Sequence, residues 1–252
     1  MEIQLLGPVR ILTSEGEDPL GGTKQRTILA TLLLADGWAV SDAHIARMLW
    51  GSEPPATAAA QIYTYASRLR KQLGAQAPIV RLRSGYQLKV QSMRCDHREF
   101  AQLTRRGMHA LATQRFEEAA AHLAAALGLW HGEPLADVTD HLAEAERPQL
   151  EEERLAALEG RIEVDLILGR HRTVVSELTR LVSQHPLRER FRALLMAALY
   201  RDERQADAMR LYLHGRRLLA DELGVDPGPL LTQTYQAILT GARLVLPSGE
   251  LP

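Results

Sequence analysis

The sequence has very little cysteine, because Cys95 is the single cysteine among 252 residues. One thiol cannot form a disulfide within the chain, so the composition favours a reducing compartment. A nucleophilic role would need a histidine or asparagine to orient the thiol, and no local motif supplies one. We therefore interpret Cys95 as a small residue in a linker.

Long hydrophobic runs are also missing. The first residues, MEIQLLGPVRIL, lack the basic start and the apolar core of a signal peptide. The longest uninterrupted apolar run is roughly a third of the length that a membrane span requires. We expect a soluble protein of the cytoplasm with no membrane partner.

The motifs of common enzyme classes are absent. The nine histidines are scattered without an HExxH motif, and the lone i, i+3 pair of His141 and Glu144 is too small a set for a metal site. No GxSxG motif, cysteine–histidine signature or GxxxxGK[ST] phosphate loop occurs. We predict no catalytic residue, no metal and no cofactor, and an enzyme is the less favoured alternative.

Acidic residues are missing from one long stretch between Glu53 and Asp96. The basic residues of this stretch are Arg68, Arg70, Lys71, Arg81, Arg83, Lys89 and Arg94. Residues 1–95 hold 11 basic and 7 acidic residues, whereas residues 96–252 hold 19 and 24. An uncompensated basic block is typical of a surface that binds a polyanion, and an ordinary solvated surface is the alternative.

The N-terminal third predicts a small sheet followed by three helices. EIQLLGPVRIL alternates as two short strands with a turn would, and the polar stretch SEGEDPLGG follows it. Thr23, Ser41 and Thr57 are expected to cap the three helices, the third of which covers residues 58–73 and ends at Gly74. The prolines of GSEPPAT separate the second helix from the third.

A hairpin is predicted after the third helix. IVRLR and YQLKV alternate on either side of Ser84-Gly85, as the strands of a hairpin do. A small sheet, three helices and a hairpin form the layout of a winged helix-turn-helix, in which the third helix reads DNA and the hairpin is the wing. We predict that residues 1–92 form this domain.

The remainder of the chain is helix-forming, after a polar boundary at residues 91–99. Three segments, TQRFEEAAAHLAAAL, LGRHRTVVSELTRLV and DERQADAMRLYLHGRRLL, each start with a turn and an arginine before an amphipathic helix. Arg170 and Arg204 are 34 residues apart, which is the period of a tetratricopeptide repeat. We predict a mainly α protein with a small β component, in which residues 97–246 form a helical repeat domain.

The third helix divides into a core face and an exposed face. An advance of 100° per residue places four apolar residues on one side: Ile62, Ala66, Leu69 and Leu73. The opposite side carries short polar groups and then cations, an order that suits the major groove of DNA. Because arginine can pair with guanine, glutamine with adenine and a threonine methyl with thymine, we predict base contacts. Their residues are Arg68, Thr64, Gln61 and Ser67.

Other side chains are expected to bind phosphates along the DNA backbone. The predicted phosphate contacts are Arg70, Lys71, Arg81, Arg83, Lys24 and Tyr63. Arg81 and Arg83 alternate with apolar residues, so we expect both on one face of the hairpin strand. Tyr63 and Tyr65 flank the exposed face, and we expect both rings to be partly buried against neighbouring helices.

Several motifs in order resemble a known family. LGPVRIL, GGTKQRTILATLLL, LWGSEPPATA, IYTYASRLRKQLG and SGYQLKV resemble the OmpR-type DNA-binding domain of the SARP family, the Streptomyces antibiotic regulatory proteins. FEEAAAHLAAALGLWHGEPLADV, LEEERLAALEGRIEVDLILGRH, HPLRERFRALLMAALYR and ELGVDPGPLL resemble the bacterial transcriptional activation domain that follows in that family. The resemblance covers nearly the whole chain.

The resemblance implies an activator of secondary-metabolite gene clusters. Members bind direct repeats in double-stranded DNA that overlap the promoter -35 region, commonly as a head-to-tail homodimer, and contact RNA polymerase with its primary sigma factor. The resemblance assigns the polymerase-facing role to a loop of Trp50, Gly51, Ser52, Glu53, Pro54 and Pro55. It also implies a location at the nucleoid. Since no receiver sequence precedes residue 1, we expect no phosphoryl control of the response-regulator kind.

One further alternative is a sensor. Helical repeats offer concave surfaces that bind peptides or small ligands, so DNA binding controlled by a small molecule is an alternative function.

Overall fold

The structure, a computed structural model, describes residues 1–76, 78–89, 93–246 and 249–250. Contacts group the chain into two compact units. The first unit consists of Met1–Gln102 and Ala125–Arg154, and the second of Leu103–Ala124 and Leu155–Pro252. Residues 91 and 92, where the predicted boundary begins, lie outside the described residues. The first unit includes residues 125–154, whereas the predicted division by sequence places these residues in the helical domain of residues 97–246.

A four-stranded sheet lies in the first unit. Its strands are β1 Glu2–Gln4, β2 Arg10–Thr13, β3 Gly16–Asp18 and β7 Arg94–Cys95, in the order β3-β2-β1-β7. The strand β3 falls in the polar stretch where none was predicted. A tight turn creates it: the Thr13 hydroxyl donates to the Gly16 carbonyl at 3.0 Å, and Leu12 then pairs with Glu17. Backbone pairing rather than apolar alternation therefore defines this edge strand.

Three helices pack together in the same unit, namely α1 Gly22–Leu34, α2 Asp42–Trp50 and α3 Ala58–Leu73. Ser41 caps α2 as predicted, since its hydroxyl accepts from the His44 amide at 3.1 Å. The predicted cap at Thr23 is wrong, because Thr23 lies inside α1, whose N-cap residue is Gly21. Thr57 is the N-cap residue of α3 as predicted, but its hydroxyl accepts from the Gln61 side chain and not from a backbone amide.

A three-stranded sheet forms the wing, with strands β4 Val40–Ser41, β5 Ile79–Leu82 and β6 Gly85–Leu88 in the order β4-β6-β5. The predicted hairpin is thus present, and Arg83 and Ser84 form its turn, which we call the wing turn. A Cβ atom at Gly85 would lie 1.9 Å from the carbonyl oxygen of Val40. Only glycine therefore lets β4 pair so closely with β6.

Residues 129–139 pack within the first unit although they are distant in sequence from its sheets and its three helices. The amides of His131 and Leu135 donate to the carbonyls of Leu6 and Leu5, at 2.8 and 3.1 Å. The Thr139 hydroxyl donates to the Met48 carbonyl at 2.5 Å. These hydrogen bonds attach the segment both to the residues that follow β1 and to α2.

The buried carboxylate of Asp96 fixes the start of the next helix. It accepts from the amides of Leu5 (2.8 and 2.9 Å) and Leu6 (2.9 Å), and from that of His97 (2.7 Å). These bonds join the first residue of α4 to the segment after β1, and they offset part of the cost of burying the carboxylate, whose pKa burial still raises.

Helices make up most of the remaining chain. Their bounds are α4 Asp96–Ala112, α5 Phe116–Leu127, α6 Asp140–Ile167, α7 His171–Gln184, α8 Glu189–Arg201, α9 Gln205–Leu223 and α10 Pro229–Thr240, followed by the short strands β8 Val245–Leu246 and β9 Gly249–Glu250. In the second unit α8 packs against α7, α9 and α10. Its fully buried side chains include Phe191 and Met196.

The turns before α5, α7 and α9 share one geometry. Gln114, Gly169 and Glu203 have positive φ angles of 58°, 77° and 61°. The arginine that follows each of them donates its amide to a carbonyl five residues back, as in a Schellman motif. This is the repeated turn and arginine that the sequence pattern predicts.

Within the described part of the chain, none of the helices combines the length and the hydropathy that crossing a membrane would require.

Candidate nucleic-acid interface

The helix α3 has one buried and one exposed face, as its periodicity predicts. The buried residues are Ile62, Ala66, Leu69 and Leu73. The exposed residues on the opposite side are Tyr63, Thr64, Ser67, Arg68 and Lys71. A stripe of side chains between 63 and 71 is therefore available to a partner, with cations in its C-terminal half.

Arg68 and Lys71 are free within the part of the chain that the structure describes. Neither side chain makes a hydrogen bond or an ion pair there, and both are exposed. The helices α2 and α3 end at Gly51 and Gly74, whose φ angles of 66° and 59° favour glycine. The two cations can thus reach a polyanion without first leaving an internal partner.

The smaller polar residues of α3 have local bonds. The Thr64 hydroxyl donates to the Ala60 carbonyl at 2.9 Å, and the residue is exposed. The half-buried Gln61 donates to the Thr57 hydroxyl at 2.9 Å, so its amide would have to turn to reach a base. Ser67 is exposed. The geometry favours Thr64 and Ser67 over Gln61 at a base edge.

The two tyrosines of α3 differ in exposure. Tyr63 is 61% exposed, so the expectation that its ring is partly buried against neighbouring helices is wrong. Tyr65 is half-buried as expected. The reason is position on the helix: Tyr63 lies beside Ser67 on the exposed face, one turn earlier. A phosphate contact from the Tyr63 hydroxyl remains a prediction.

Arg70 and Arg81 both lie at the junction of α3 and the wing. The Nε of Arg70 donates to the Ile79 carbonyl at 2.7 Å, and its Cζ is 5.5 Å from the centroid of the Tyr86 ring. Arg81 makes a two-point contact with Asp42, and its Cζ is 4.6 Å from the same ring. Both predicted phosphate contacts therefore have partners inside the protein.

Arg83 is different from Arg81, although the two were expected on one strand face. β5 ends at Leu82, so Arg83 belongs to the wing turn. It is exposed, and among the described residues it has no hydrogen-bond or ion-pair partner. The side chain of Lys89 beyond β6 is likewise exposed and unpaired within the described chain, while its backbone amide donates to the Pro78 carbonyl at 3.1 Å. The wing thus offers Arg83 at its turn for contact with a backbone.

The loop predicted to face the polymerase follows α2. Ser52, Glu53 and Pro54 are exposed, whereas Trp50, Gly51 and Pro55 are half-buried. The half-buried Lys24 places its Nζ 5.0 Å from the centroid of the Trp50 ring, so this predicted phosphate contact already has an aromatic partner. The exposed tip of the loop therefore consists of only three residues.

His141 supports that loop rather than a metal. A Cβ atom on Gly51 would lie 2.7 Å from Cε1 of His141, so the imidazole packs directly on the glycine. His141 and Glu144 also line a cleft of about 550 Å³ together with His44 and Arg47 of α2. Among the described residues no three histidine, cysteine, aspartate or glutamate side chains are grouped for metal binding.

Sequence reasoning did not identify Asp42 and Tyr86 as parts of the interface. Tyr86 is 1% exposed, and burial raises the pKa of its hydroxyl. Asp42 looks like an ordinary acidic residue in the first turn of a helix, where it is stabilised by the helix dipole. Its pairing with Arg81, 39 residues away, follows only from the antiparallel pairing of β4 with β6.

Comparison with known proteins identifies the class of protein to which the chain belongs. A family model described as the bacterial transcriptional activator domain matches residues 95–239. RedD, a transcriptional regulator of Streptomyces coelicolor, is 38% identical over 95% of this chain and 70% of its own length. The regulatory protein DnrI of Streptomyces peucetius is 34% identical over 95% of this chain and 92% of its own length. The chain belongs to the SARP family of transcriptional regulators.

Longer relatives contain the same region. The regulatory protein AfsR of Streptomyces griseus is 43% identical over 99% of this chain, which spans 26% of AfsR. A solved structure of Mycobacterium tuberculosis EmbR with a low-affinity phosphopeptide superposes with a TM-score of 0.88 and 34% identity, covering 96% of this chain and 66% of that chain. The predicted fold class, a winged helix-turn-helix with a helical domain, is confirmed. The family is one of transcriptional regulators and not of enzymes.

Proposed function

We propose that the chain is a sequence-specific DNA-binding activator. It binds direct repeats near the promoter -35 element as a homodimer, recruits RNA polymerase with its primary sigma factor, and switches on a secondary-metabolite gene cluster. It acts in the cytoplasm, at the nucleoid. Membership in a family of transcriptional regulators supports the general part of this proposal.

One observation supports the DNA-binding part: the exposed face of α3 ends in two cations that have no side-chain partner in the part of the chain that the structure describes. Arg68 and Lys71 lie on it together with the short side chains of Thr64 and Ser67. Short polar groups permit close approach to base edges, while the cations supply bidentate and phosphate contacts. Arg83 of the wing turn, whose side chain has no partner among the described residues, adds a third cation that lies outside the helix.

Binding is tested by fluorescence anisotropy with the promoter fragment upstream of the native gene and a scrambled duplex of equal length. We expect tighter binding to the promoter fragment, and equal affinity for the two duplexes would contradict sequence-specific recognition. A footprint on the promoter fragment then shows whether two repeats are occupied. A single protected half-site would contradict the dimer.

Recruitment is tested by in vitro transcription with purified RNA polymerase holoenzyme. Glu53→Ala removes the single charge from the exposed tip of the loop, and Ser52→Ala is the matched control beside it. We expect Glu53→Ala to reduce transcript yield and to leave promoter affinity unchanged. If it instead weakened promoter binding, the loop would be part of the DNA-binding surface and not a polymerase contact.

A further inference from the structure

Asp42, the first residue of α2, joins that helix to the wing. Its Oδ1 and Oδ2 atoms accept from Nη1 and Nη2 of Arg81 at 2.5 and 2.8 Å. Two parallel bonds fix the orientation of the guanidinium as well as its distance, which an ammonium could not do. The backbone adds another link, because the amide of Asp42 donates to the carbonyl of Ser84 in the wing turn at 3.0 Å.

The buried ring of Tyr86 brings α3 into the same cluster. Arg81 and Arg70 both place a guanidinium within 5.5 Å of its centroid, and Arg70 also donates to the Ile79 carbonyl of β5. We call Asp42, Arg70, Arg81 and Tyr86 the wing junction. Its members come from α2, α3, β5 and β6, so it connects the exposed helix α3 and the helix α2 to two strands of the wing.

The bonding of Arg81 is already extensive before any ligand arrives. Besides Asp42, its Nη1 reaches the Gly85 carbonyl at 3.3 Å. The hydrogen bond to Asp42 raises the pKa of the Arg81 guanidinium, as expected for a charge held by an opposite charge. To bind a phosphate, Arg81 would have to exchange a carboxylate bonded at two points for another anion. We therefore expect this exchange of anions to contribute little to the free energy of DNA binding.

We propose that the wing junction is a positioning device for DNA recognition. Asp42 and Arg81 hold the wing turn in place, and Arg70 holds β5 against α3, so that Arg83 and Arg68 reach the DNA together. Arg70 and Arg81 thus act through their neighbours and do not bond to phosphate. This inference rests on the proposed function and changes the roles predicted for two of its phosphate contacts.

The salt dependence of binding to a mixed-sequence DNA duplex separates positioning from phosphate contact. Loss of one phosphate contact lowers the slope of log K against log salt by about 0.9. We expect that decrease for Arg83→Gln, the control two residues away. Arg81→Gln should weaken binding by about tenfold and lower the slope by no more than Arg83→Gln does, because it acts through the contact of Arg83. The double variant Arg81→Gln with Arg83→Gln should then lower the slope no further than Arg83→Gln alone. A slope lowered by about 1.8 in the double variant would show two separate phosphate contacts and overturn the proposal.

Two conservative variants test the junction more sharply. Arg81→Lys keeps the charge and loses the two-point contact, so we expect it to bind as weakly as Arg81→Gln. Asp42→Asn should also weaken binding, and adding it to Arg81→Gln should cause little further loss because the two residues act as one unit. Restored affinity in Arg81→Lys, or tighter binding by Asp42→Asn, would show that Arg81 meets phosphate directly and that Asp42 competes with it.

Amide hydrogen exchange tests the positioning role of the wing junction in the absence of DNA. In the free protein, Arg81→Lys and Asp42→Asn should speed exchange of the Asp42 amide and of the amides that pair β5 with β6, whereas Arg83→Gln should not. Unchanged exchange in both variants would overturn the positioning role. If the wild-type chain bound no duplex, the proposed function would fail, and the exchange data would still decide whether the junction orders the wing.

Discussion

The basic residues of the second unit and those of the candidate nucleic-acid interface have different surroundings. In the second unit Arg161 bonds to Asp165 and Glu177 at 3.1 and 2.6 Å, and Arg170 bonds to Glu117 at 2.9 Å. On the exposed face of α3 and in the wing turn, Arg68, Lys71 and Arg83 face solvent without such partners in the described chain. The difference follows from acidic residues, which are frequent in one region and missing from the other.

This contrast separates cations that stabilise the fold from cations available to a ligand. A paired arginine has its field neutralised nearby, whereas unpaired neighbouring cations add their fields and attract a polyanion. The wing junction is the exception within the interface, since Asp42 pairs with Arg81 although it lies outside the acid-free stretch. Basic residues in a sequence segment therefore indicate a ligand-binding surface only when the contacts of their side chains are also known.

The largest expected effect concerns stability in the second unit. Glu163 is fully buried, and Arg190 bonds to it at 2.7 Å. Arg190→Met should lower the free energy of unfolding by about 3 kcal/mol, because it leaves a buried charge with less compensation. Urea denaturation measures this loss. The double variant Arg190→Met with Glu163→Gln should lose less, and an equal loss would contradict the electrostatic explanation.

The next largest effect is expected on DNA binding, when an acidic residue is introduced on the exposed face of α3. Ser67→Glu places a carboxylate one helical turn before Lys71, where it would pair with that cation and repel phosphates. We expect a loss of DNA binding of about 2 kcal/mol or more, with stability changed by less than about 0.5 kcal/mol. Ser67→Gln is the control of equal size. If both variants bound DNA equally well, charge on this face would not matter.

Arg68→Ala should have a smaller and more selective effect. Since an arginine at a base edge discriminates one base pair, we expect a cost of roughly 1–3 kcal/mol on the promoter fragment and relaxed preference at one position. Competition binding with single-base variants of the promoter measures this. An equal loss on promoter and scrambled duplexes would instead identify Arg68 as a phosphate contact.

Local patterns predicted the parts of the interface that depend on neighbours in sequence. The core face of α3 follows from the 3.6-residue period, and the wing strands follow from alternation around Ser84-Gly85. The pairing of Asp42 with Arg81 and the attachment of Thr139 to Met48 could not be predicted this way. Each joins residues at least 39 positions apart, and helical or strand periodicity carries no information about such contacts.

The helical caps show the same limit at short range. Thr23 and Thr57 have the residue type that caps helices, yet only Ser41 bonds a backbone amide of the following turn. Several hydrogen-bond acceptors compete for each hydroxyl, and the Gln61 side chain takes that of Thr57. Residue type therefore predicts where a helix starts better than it predicts which bond closes the start.

The most direct test compares two triple variants that remove equal charge. One replaces the unpaired cations of the interface, Arg68→Gln, Lys71→Gln and Arg83→Gln. The other replaces exposed paired arginines of the second unit, Arg172→Gln, Arg204→Gln and Arg210→Gln. Salt titration of duplex binding should show a slope reduced by about 1.8 for the first, since Lys71 and Arg83 are its phosphate contacts, and an unchanged slope for the second. Equal slopes for the two variants would contradict the account.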